Sequence, residues 1–538
     1  MATQVSPSLA PLLLFARISG LLAAALVISW ALVFKSSFLP QSTSQEDLIY
    51  AVLHPLLMVI GFILISGEAI LVHKWLPGSR GFKKSVHLCL QGLALACGIF
   101  GIWTKFHGND GIVANFFSLH SWMGLICISL FGAQWLMGFM SFWHRGEMRT
   151  VRITVLPWHI FLGLYTYGLA VATAETGLLE KITFLQTKKD VSKHTPESMV
   201  VNSLGLSLAL LSGIIILAAV SPRFQSFRSE LTYSESKKLM TSMTSSLNFC
   251  WLTRDGVVKP SRKIWLPTRL KWTGFYGEGG SIKSSKTNEG SKKVTAEKMD
   301  VPVIRFPTIT MMVRVIGVLV AAFVLIWTFH FRGGLALSSD NKSLIFNVHP
   351  VLLVIGLVLL NGEAMLAYKT VSGTKSFRKI VHLTMQSMAF CLSIIGVWAA
   401  YKFHSEKGVD HFYTLHSWLG LTCLFLFGTQ WAAGFYTFWY PGGSIYSRAA
   451  LLPWHVFFGI YIYALAVATT ATGILEKATF LQTHNITSPY STEAYLINSL
   501  GMLVVVLGGC VILAIVTPMS AKGDAFRTQE YQMQYPSV

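Results

Sequence analysis

The sequence predicts an all-α membrane protein of two six-transmembrane-helix bundles, twelve helices in all, each bundle with a four-helix core. Three observations predict it. The chain of 538 residues is 53% hydrophobic and only 12% charged, with a mean hydropathy of +0.54, too apolar for ordinary soluble domains. Apolar runs near the ~20 residues that cross hydrocarbon recur twelve times. The second six runs repeat the first six.

The runs fall at roughly 12–34, 48–72, 85–104, 117–143, 153–174 and 199–220, then at 309–331, 343–368, 380–400, 413–439, 449–470 and 494–516. The first lacks a basic start, short core and small-residue cleavage site, and it is long enough to span, so it reads as a retained helix rather than a signal peptide. HPLLMVIGFILISGEAI at His54 answers HPVLLVIGLVLLNGEAM at His349, LHSWMGL at His120 answers LHSWLGL at His416, and the LPWH ending at His159 answers that ending at His455. The offset is 295 residues early and 296 late, the mark of an internal duplication. The expected organisation is a first six-helix unit at 1–221, a polar Ser/Lys/Arg-rich flexible linker at 222–308, a second unit at 309–520 and a tail at 521–538. From Met299 the sequence reads like a fresh amino terminus.

The net charge of +19 does not indicate nucleic acid, because much of it lies in short loops and the central segment, where it marks cytoplasmic stretches beside anionic lipid. Lys74, Arg80, Lys83 and Lys84 in one loop, and Arg145, Arg149 and Arg152 in another, place those loops, both termini and the linker on the cytoplasmic side. Six spans return the chain to its starting side, so the halves are expected as parallel repeats. The sequons at Asn341 and Asn485 then fall outside. Cys89, Cys97, Cys127, Cys391, Cys423 and Cys510 sit inside apolar spans without a CxxC, so neither a disulfide framework nor an iron–sulfur or zinc site is indicated.

The chemistry is carried by histidines. Spans two to five hold one each, His54, His87, His120 and His159, and the second half repeats them as His349, His382, His416 and His455. A polar ionisable group in hydrocarbon is costly and points to function. A lone one reads better as a satisfied core histidine, but four per half, repeated, do not. Alternate helices run in opposite directions, which puts His54 with His120 near the outer face and His87 with His159 near the cytoplasmic face, on the order of 20 Å apart at 1.5 Å per residue. Two imidazoles from facing helices converging at one depth are what clamps a haem iron from both sides. A copper or zinc site lacks an accompanying cysteine, aspartate or glutamate at useful spacing. Gly61, Gly67, Gly92, Gly124 and Gly163 would leave room for a macrocycle or serve ordinary helix packing. Rival functions are a transporter whose histidines relay protons or bind metal, and a haem protein without turnover; parallel halves with full ligand sets and unbroken helices argue against the first.

With the HPxxMVIGF, KxxHL, LHSWxGL and LPWH segments in hand, the chain resembles the cytochrome b561 family, specifically the plant transmembrane ascorbate ferrireductases, once per half. The resemblance implies a six-helix fold with a di-haem core of two b haems per half, four per chain. It implies ascorbate as cytoplasmic donor, monodehydroascorbate or a ferric chelate as acceptor on the other face, and the plasma membrane or an endomembrane such as the vacuole. Independently of it, Lys84 and Lys379 stand one turn before His87 and His382, Arg80 and Lys375 a further turn back, and Arg152 and Arg448 seven residues before His159 and His455. Such cations would attract an anionic reductant, and family members use a similar cluster for ascorbate; plain positive-inside charge is the bland reading. Arg80 in the place of Lys375 changes the hydrogen-bond geometry. On the outer face KFH recurs, ending at His107 and at His404, and the resemblance gives those histidines and Tyr413 a role toward the acceptor. Phe117 replaces Tyr413 in the first half, so equal outer-face activity of the halves is not expected. Glu68 and Glu363 are intramembrane carboxylates near the inner level, placed either to tune the site and relay protons or to cap a neighbouring helix. The two halves are expected to dock as a pseudo-dimer.

Overall fold

A computed structural model describes residues 9–35, 38, 45–106, 116–143, 149–188, 191–221 and 306–517. The predicted linker up to Arg305, the tail 521–538 and His107 lie outside these residues. Among the described residues there is no strand. Twelve helices among the described residues are long and apolar enough to cross a membrane: α1 (Ala10–Val33), α2 (Leu48–Trp75), α3 (Arg80–Phe106), α4 (Leu119–Trp143), α5 (Arg149–Lys188), α6 (Pro196–Ser221), α7 (Phe306–Phe331), α8 (Lys342–Thr370), α9 (Lys375–Lys407), α10 (Leu415–Phe438), α11 (Ile445–Thr483) and α12 (Thr492–Val516).

Local chemistry sets their ends. Hydroxyl side chains of Ser118, Thr374, Thr414, Ser444 and Ser491 accept from backbone N–H groups in the first turns of α4, α9, α10, α11 and α12. Gly408 stops α9 in the left-handed region at φ 65°, where an L side chain is strained. Two helices run well past their apolar windows: α5 continues to Lys188 and α11 to Thr483, where the windows end at 174 and 470. The extra turns carry Glu175, Glu180 and Glu476, which lower the hydropathy, yet Leu178, Leu179, Ile182 and Leu185 on the same turns are buried and keep the helix docked.

Within each half the core helices form two tight pairs, α2 with α3 and α4 with α5, repeated as α8 with α9 and α10 with α11, while contact between the pairs is thinner. α2 and α8 each contain a π-helical stretch, Leu57–Leu64 and Val354–Leu360, just after Pro55 and Pro350. A proline donates no N–H and disturbs the ladder behind it, and N–H groups that reach back five residues, as Ile65 does to Ile60 O, absorb the disturbance.

All twelve helices belong to one compact unit. α5 packs along α11. The contacts between halves come in matched sets. Asn202 Nδ2 donates to Tyr413 O at 2.8 Å and Asn498 Nδ2 to Phe117 O at 2.7 Å. Tyr461 Oη donates to Ala209 O at 3.0 Å, and Tyr165 Oη to Val505 O at 3.3 Å. Leu415 fills the space over Gly205, and Leu119 that over Gly501, so closely that a Cβ would meet a side-chain carbon at 2.5 and 2.4 Å.

Asn202 and Asn498 are 1% and 2% exposed, and removing either amide orphans a carbonyl. Asn202→Ala and Asn498→Ala should each cost about 1–3 kcal/mol, seen as a lower thermal midpoint of the detergent-solubilised protein; an unchanged midpoint in both would show that these contacts do not hold the halves.

Candidate functional site: four histidine pairs

The eight predicted histidines come together in four pairs, each drawn across the seam between two tight helix pairs. Ring centroids are 6.3 Å apart for His54 of α2 and His120 of α4, and 6.3 Å for His87 of α3 and His159 of α5. In the second half they are 6.0 Å for His349 and His416, and 6.4 Å for His382 and His455. The interplanar angles run from 71° to 88°.

The other ring nitrogen is tied within its own tight pair. Nδ1 of His54 lies 2.8 Å from Gly101 O, that of His87 2.7 Å from Ala69 O, and that of His120 2.9 Å from Thr173 O. The counterparts are His349 to Gly396 O at 3.0 Å, His382 to Ala364 O at 2.8 Å and His416 to Thr469 O at 3.0 Å. A carbonyl only accepts, so these six Nδ1 atoms carry the proton and donate, which leaves Nε2 with a lone pair for a metal. The fourth position of each half is built differently. Gln134 Nε2 donates to the His159 carbonyl and stands 2.9 Å from its Nδ1, and Gln430 Nε2 donates to the His455 carbonyl at 2.6 Å.

The pairs lie at two depths. On α3 fourteen residues separate His87 from Gly101, the partner of His54, so the levels are about 21 Å apart along the helix.

A bis-imidazole iron fits this arrangement. With a metal–nitrogen bond of about 2.0 Å and a ring centre about 1.1 Å beyond each nitrogen, two opposed imidazoles have centroids about 6.2 Å apart. Among the described residues no group of three or more His, Cys, Asp or Glu could hold a metal ion, and a macrocycle would supply the ligands beyond the two imidazoles of each site. Buried polar atoms without partners gather near the histidines: Gln91 Oε1 and Gln386 Oε1 one turn from His87 and His382, Gln134 Oε1, and His455 Nδ1 itself. The glycines that shape the rings' places are Gly138, Gly177, Gly434 and Gly473, where a Cβ would stand 2.8, 2.5, 2.9 and 2.6 Å from Cε1 of His159, His120, His455 and His416.

Those four glycines were not singled out in the sequence. Of the five that were, Gly61 is pressed against Cys97 and Gly67 against Ile215 and Tyr167, which makes them close-packing residues, and Gly92, Gly124 and Gly163 are in ordinary contact distance of Trp135, Thr173 and Gln134. Gln134 and Gln430 were missed as well, though an amide repeated in an apolar span at the 296-residue offset is a readable signal. Glu68 and Glu363 have partners on the first helix of each half: Arg17 Nε is 3.6 Å from Glu68 and Arg314 Nε 3.7 Å from Glu363.

The predicted cations cluster where α3, α9 and α11 begin, with Arg152 in the first turn of α5. Arg80, Lys375 and Arg448 are exposed, and Arg448 Nε donates to Gly443 O at 2.8 Å. Lys84 Nζ donates to Phe142 O at 3.5 Å and Lys379 Nζ to Phe438 O, beside the C-terminal turns of α4 and α10, and Lys379 also lies over the Trp439 ring. Arg152 Nε is buried without a partner. A neighbour not foreseen sits on each inner pair: His73 against His87 at 5.4 Å, and at the matching place Tyr368 against His382 at 5.5 Å.

At the opposite end His404 Nδ1 donates to Asp410 O at 2.9 Å, and His411 is stacked between His404 and Tyr401 at centroid distances of 5.6 and 4.6 Å. Tyr413 lies beneath Lys193 of the first half, 4.7 Å from Nζ to the ring centroid. Burial, reinforced by Glu476 and Asp410, pushes the Tyr413 phenol well above its usual range, so it keeps its proton and acts as a donor.

The sequence profile of eukaryotic cytochrome b561 matches residues 53–185 and again 348–481, each match taking in one set of four histidines. The chain is 66% identical over 231 residues to transmembrane ascorbate ferrireductase 2 of Arabidopsis thaliana, an alignment covering 43% of this chain and 100% of that protein. It is 44% identical over 210 residues to the probable ascorbate-specific transmembrane electron transporter 2 of Oryza sativa subsp. japonica (39% of this chain, 89% of the relative). It is 39% identical over 215 residues to a lysosomal membrane ascorbate-dependent ferrireductase of Mus musculus (39% and 88%). Nearly whole relatives are matched by less than half of this chain and the profile fits twice, so the chain belongs to the cytochrome b561 family as a tandem of two family units.

Proposed function

We propose that the chain moves electrons across a membrane from ascorbate at the basic end of the bundle to monodehydroascorbate or a ferric chelate at the other end. In this reading His54 with His120 and His87 with His159 hold two b haems in the first half, and His349 with His416 and His382 with His455 hold two in the second, four per chain. The observation that carries the reading is the spacing of the four imidazole pairs, with Nδ1 of six of the eight rings donating to a carbonyl and so leaving their Nε2 a lone pair. The names of the relatives, ascorbate ferrireductases and ascorbate-specific electron transporters, support the donor and the acceptor class.

When bound, a haem with two imidazole ligands supplies a one-electron centre with no open coordination position, suited to outer-sphere transfer. The protein's part is binding, orientation and charge. The carbonyl bonds at Nδ1 of His54, His87, His120, His349, His382 and His416 fix those six rings' tautomer and make Nε2 the stronger ligand. At the basic end Lys84 and Lys379 each spend one N–H on a helix-end carbonyl and keep others for an anion, and exposed Arg80, Lys375 and Arg448 draw the ascorbate anion in. The basic loops at that end support a cytoplasmic position for it under the positive-inside rule. At the far end of the second half His404 and the protonated Tyr413 offer hydrogen bonds to an acceptor, whereas Phe117 denies the first half the phenol. The matched hydrogen bonds between Asn202, Asn498, Tyr165, Tyr461 and the opposite half support the view that the halves work as a docked pair.

The test is the visible spectrum of the purified protein before and after ascorbate, with haem quantified per chain. About four haems and a sharp reduced α-band are expected; a protein that folds without haem overturns the reading. His416→Leu, and separately Gly473→Val through the clash with the His416 ring, should each reduce the count by one and leave the first half's spectrum intact.

Removing the cations tests the donor end. Lys84→Ala and Lys379→Ala together should raise the ascorbate concentration for half-maximal haem reduction by about tenfold, from the loss of a charge-assisted contact in each half of about 1.5 kcal/mol, with no change in haem content.

A protease site placed between residues 222 and 305 tests the docked pair. After cleavage the two six-helix halves should co-elute in mild detergent, whereas separation into two species would show that only the covalent connection joins them.

A further inference from the structure

The far mouth of the second half is built partly from the first. Lys193, between α5 and α6, sets Nζ 3.4 Å from Asp410 Oδ2 and above the Tyr413 ring, while Asn202 of α6 donates to the Tyr413 carbonyl. Asp410 in turn receives the Nδ1–H of His404 on its backbone carbonyl, and His411 stacks on His404. One ammonium from the first half therefore stands over the histidine, phenol and carboxylate of the second. The sequence does not repeat these residues in the other direction: 296 residues after Lys193 stands Pro489, and Phe117 takes the place of Tyr413.

We propose that Lys193 is a docking residue for the acceptor, supplied across the interface to the second half's far-side site, and that it makes this mouth the chain's preferred outlet for a small oxyanion. The inference rests on the electron-transfer reading above. The Lys193 and Asp410 side chains are 34% and 54% exposed, and an ion pair so open to water is held weakly. An incoming carboxylate or enolate oxygen takes the place of Asp410 on the ammonium, with the Tyr413 phenol beside it as a neutral donor. Two acceptors present this chemistry. A ferric carboxylate chelate takes one electron and no proton, giving the ferrous chelate. Monodehydroascorbate takes one electron and one proton, giving ascorbate. In both cases ascorbate at the opposite end is the electron source.

The experiment uses the full-length, haem-loaded chain and two readouts. One is reoxidation of the ascorbate-reduced protein by ferric citrate, and separately by monodehydroascorbate, as a function of acceptor concentration and salt. The other is equilibrium binding of redox-inert gallium(III) citrate. Lys193→Ala should raise the half-saturating concentration about fivefold, weaken gallium citrate binding in step and flatten the salt dependence, with reduction by ascorbate unchanged. Asp410→Asn removes the competing carboxylate and should shift the same quantities the opposite way, which a merely structural pair would not do, and Lys193→Arg should restore most of the wild-type affinity. An effect on one acceptor alone identifies it as the ligand. Unchanged values for both acceptors and for gallium citrate in Lys193→Ala overturn the proposal. A wild-type chain that ascorbate fails to reduce overturns the electron-transfer reading instead, and the gallium citrate titration still reads the docking.

Discussion

A polar N–H inside an apolar helix bundle has to find an acceptor, and that requirement organises both halves of this protein. A neutral imidazole carries one N–H and one lone pair. Left unpaired in hydrocarbon, the N–H costs several kcal/mol (order of magnitude). Six of the eight histidines meet the requirement with a backbone carbonyl of the adjacent helix, and the choice of helix matters. The acceptor always belongs to the other member of the same tight pair, so the bond pulls α2 onto α3, α4 onto α5 and likewise in the second half. The ring nitrogen left with the lone pair is thereby available across the seam, and at the outer level, His54 with His120 and His349 with His416, both partners are tied in this way. Satisfying the donor and aiming the acceptor are one event. The seam stays open because the forces that close helices on each other are used inside the pairs.

The π-helical stretches belong to the same design. Each begins two to four residues after the His–Pro dipeptide that carries the outer histidine of α2 or α8. One extra residue in a turn re-phases the rest of the helix by roughly 100°, so the face presenting His54 and the turn presenting the Ala69 carbonyl are set independently. Gly61 and Gly356 lie within the two stretches, and a Cβ on either would come within 3 Å of a side chain on the neighbouring helix, Cys97 or Leu392. The widened turn and the absent side chain together let α2 approach α3, and α8 approach α9, closely enough for both carbonyl bonds to form.

What could be read from residues alone follows from this division. Twelve spans, the duplication and the grouping of histidines by depth depend on hydropathy and on the alternation of helix direction, both visible in one dimension. The carbonyls of Gly101, Ala69 and Thr173 have no signature, since every residue carries one. The π-helical turns are hidden for the same reason: proline predicts a disturbed ladder but not how the ladder is repaired. The far ends of α5 and α11 were missed because Glu175, Glu180 and Glu476 lower a hydropathy window without breaking a helix. Lys193 has no signature in its own half, because its partners lie 217 and 220 residues away in the other copy. Asn202 and Asn498 did carry a signal, an amide at matching places in two apolar spans, which marks a contact but not its partner.

Duplication within one chain also changes what the pair of units can become. In a symmetric dimer of identical subunits every interface contact occurs twice, and a residue that favours one direction is forced into the other. Joined copies escape this. The contacts between halves are matched two by two, as Asn202 and Asn498 or Tyr165 and Tyr461 show, and Gln134 with Gln430 and Gly177 with Gly473 repeat beside the rings, whereas several other neighbours of the sites and of the mouths differ between the halves. His73 sits by His87 where Tyr368 sits by His382, Phe117 answers Tyr413, Lys193 answers Pro489, and the buried Glu175 answers Ala471. Each exchange alters charge or hydrogen bonding at one mouth or core and leaves its twin untouched. The pattern is that of an interface conserved for assembly around two sites free to specialise. The chain acquires, through its connection, a difference between its two sets of histidine sites that a homodimer cannot encode.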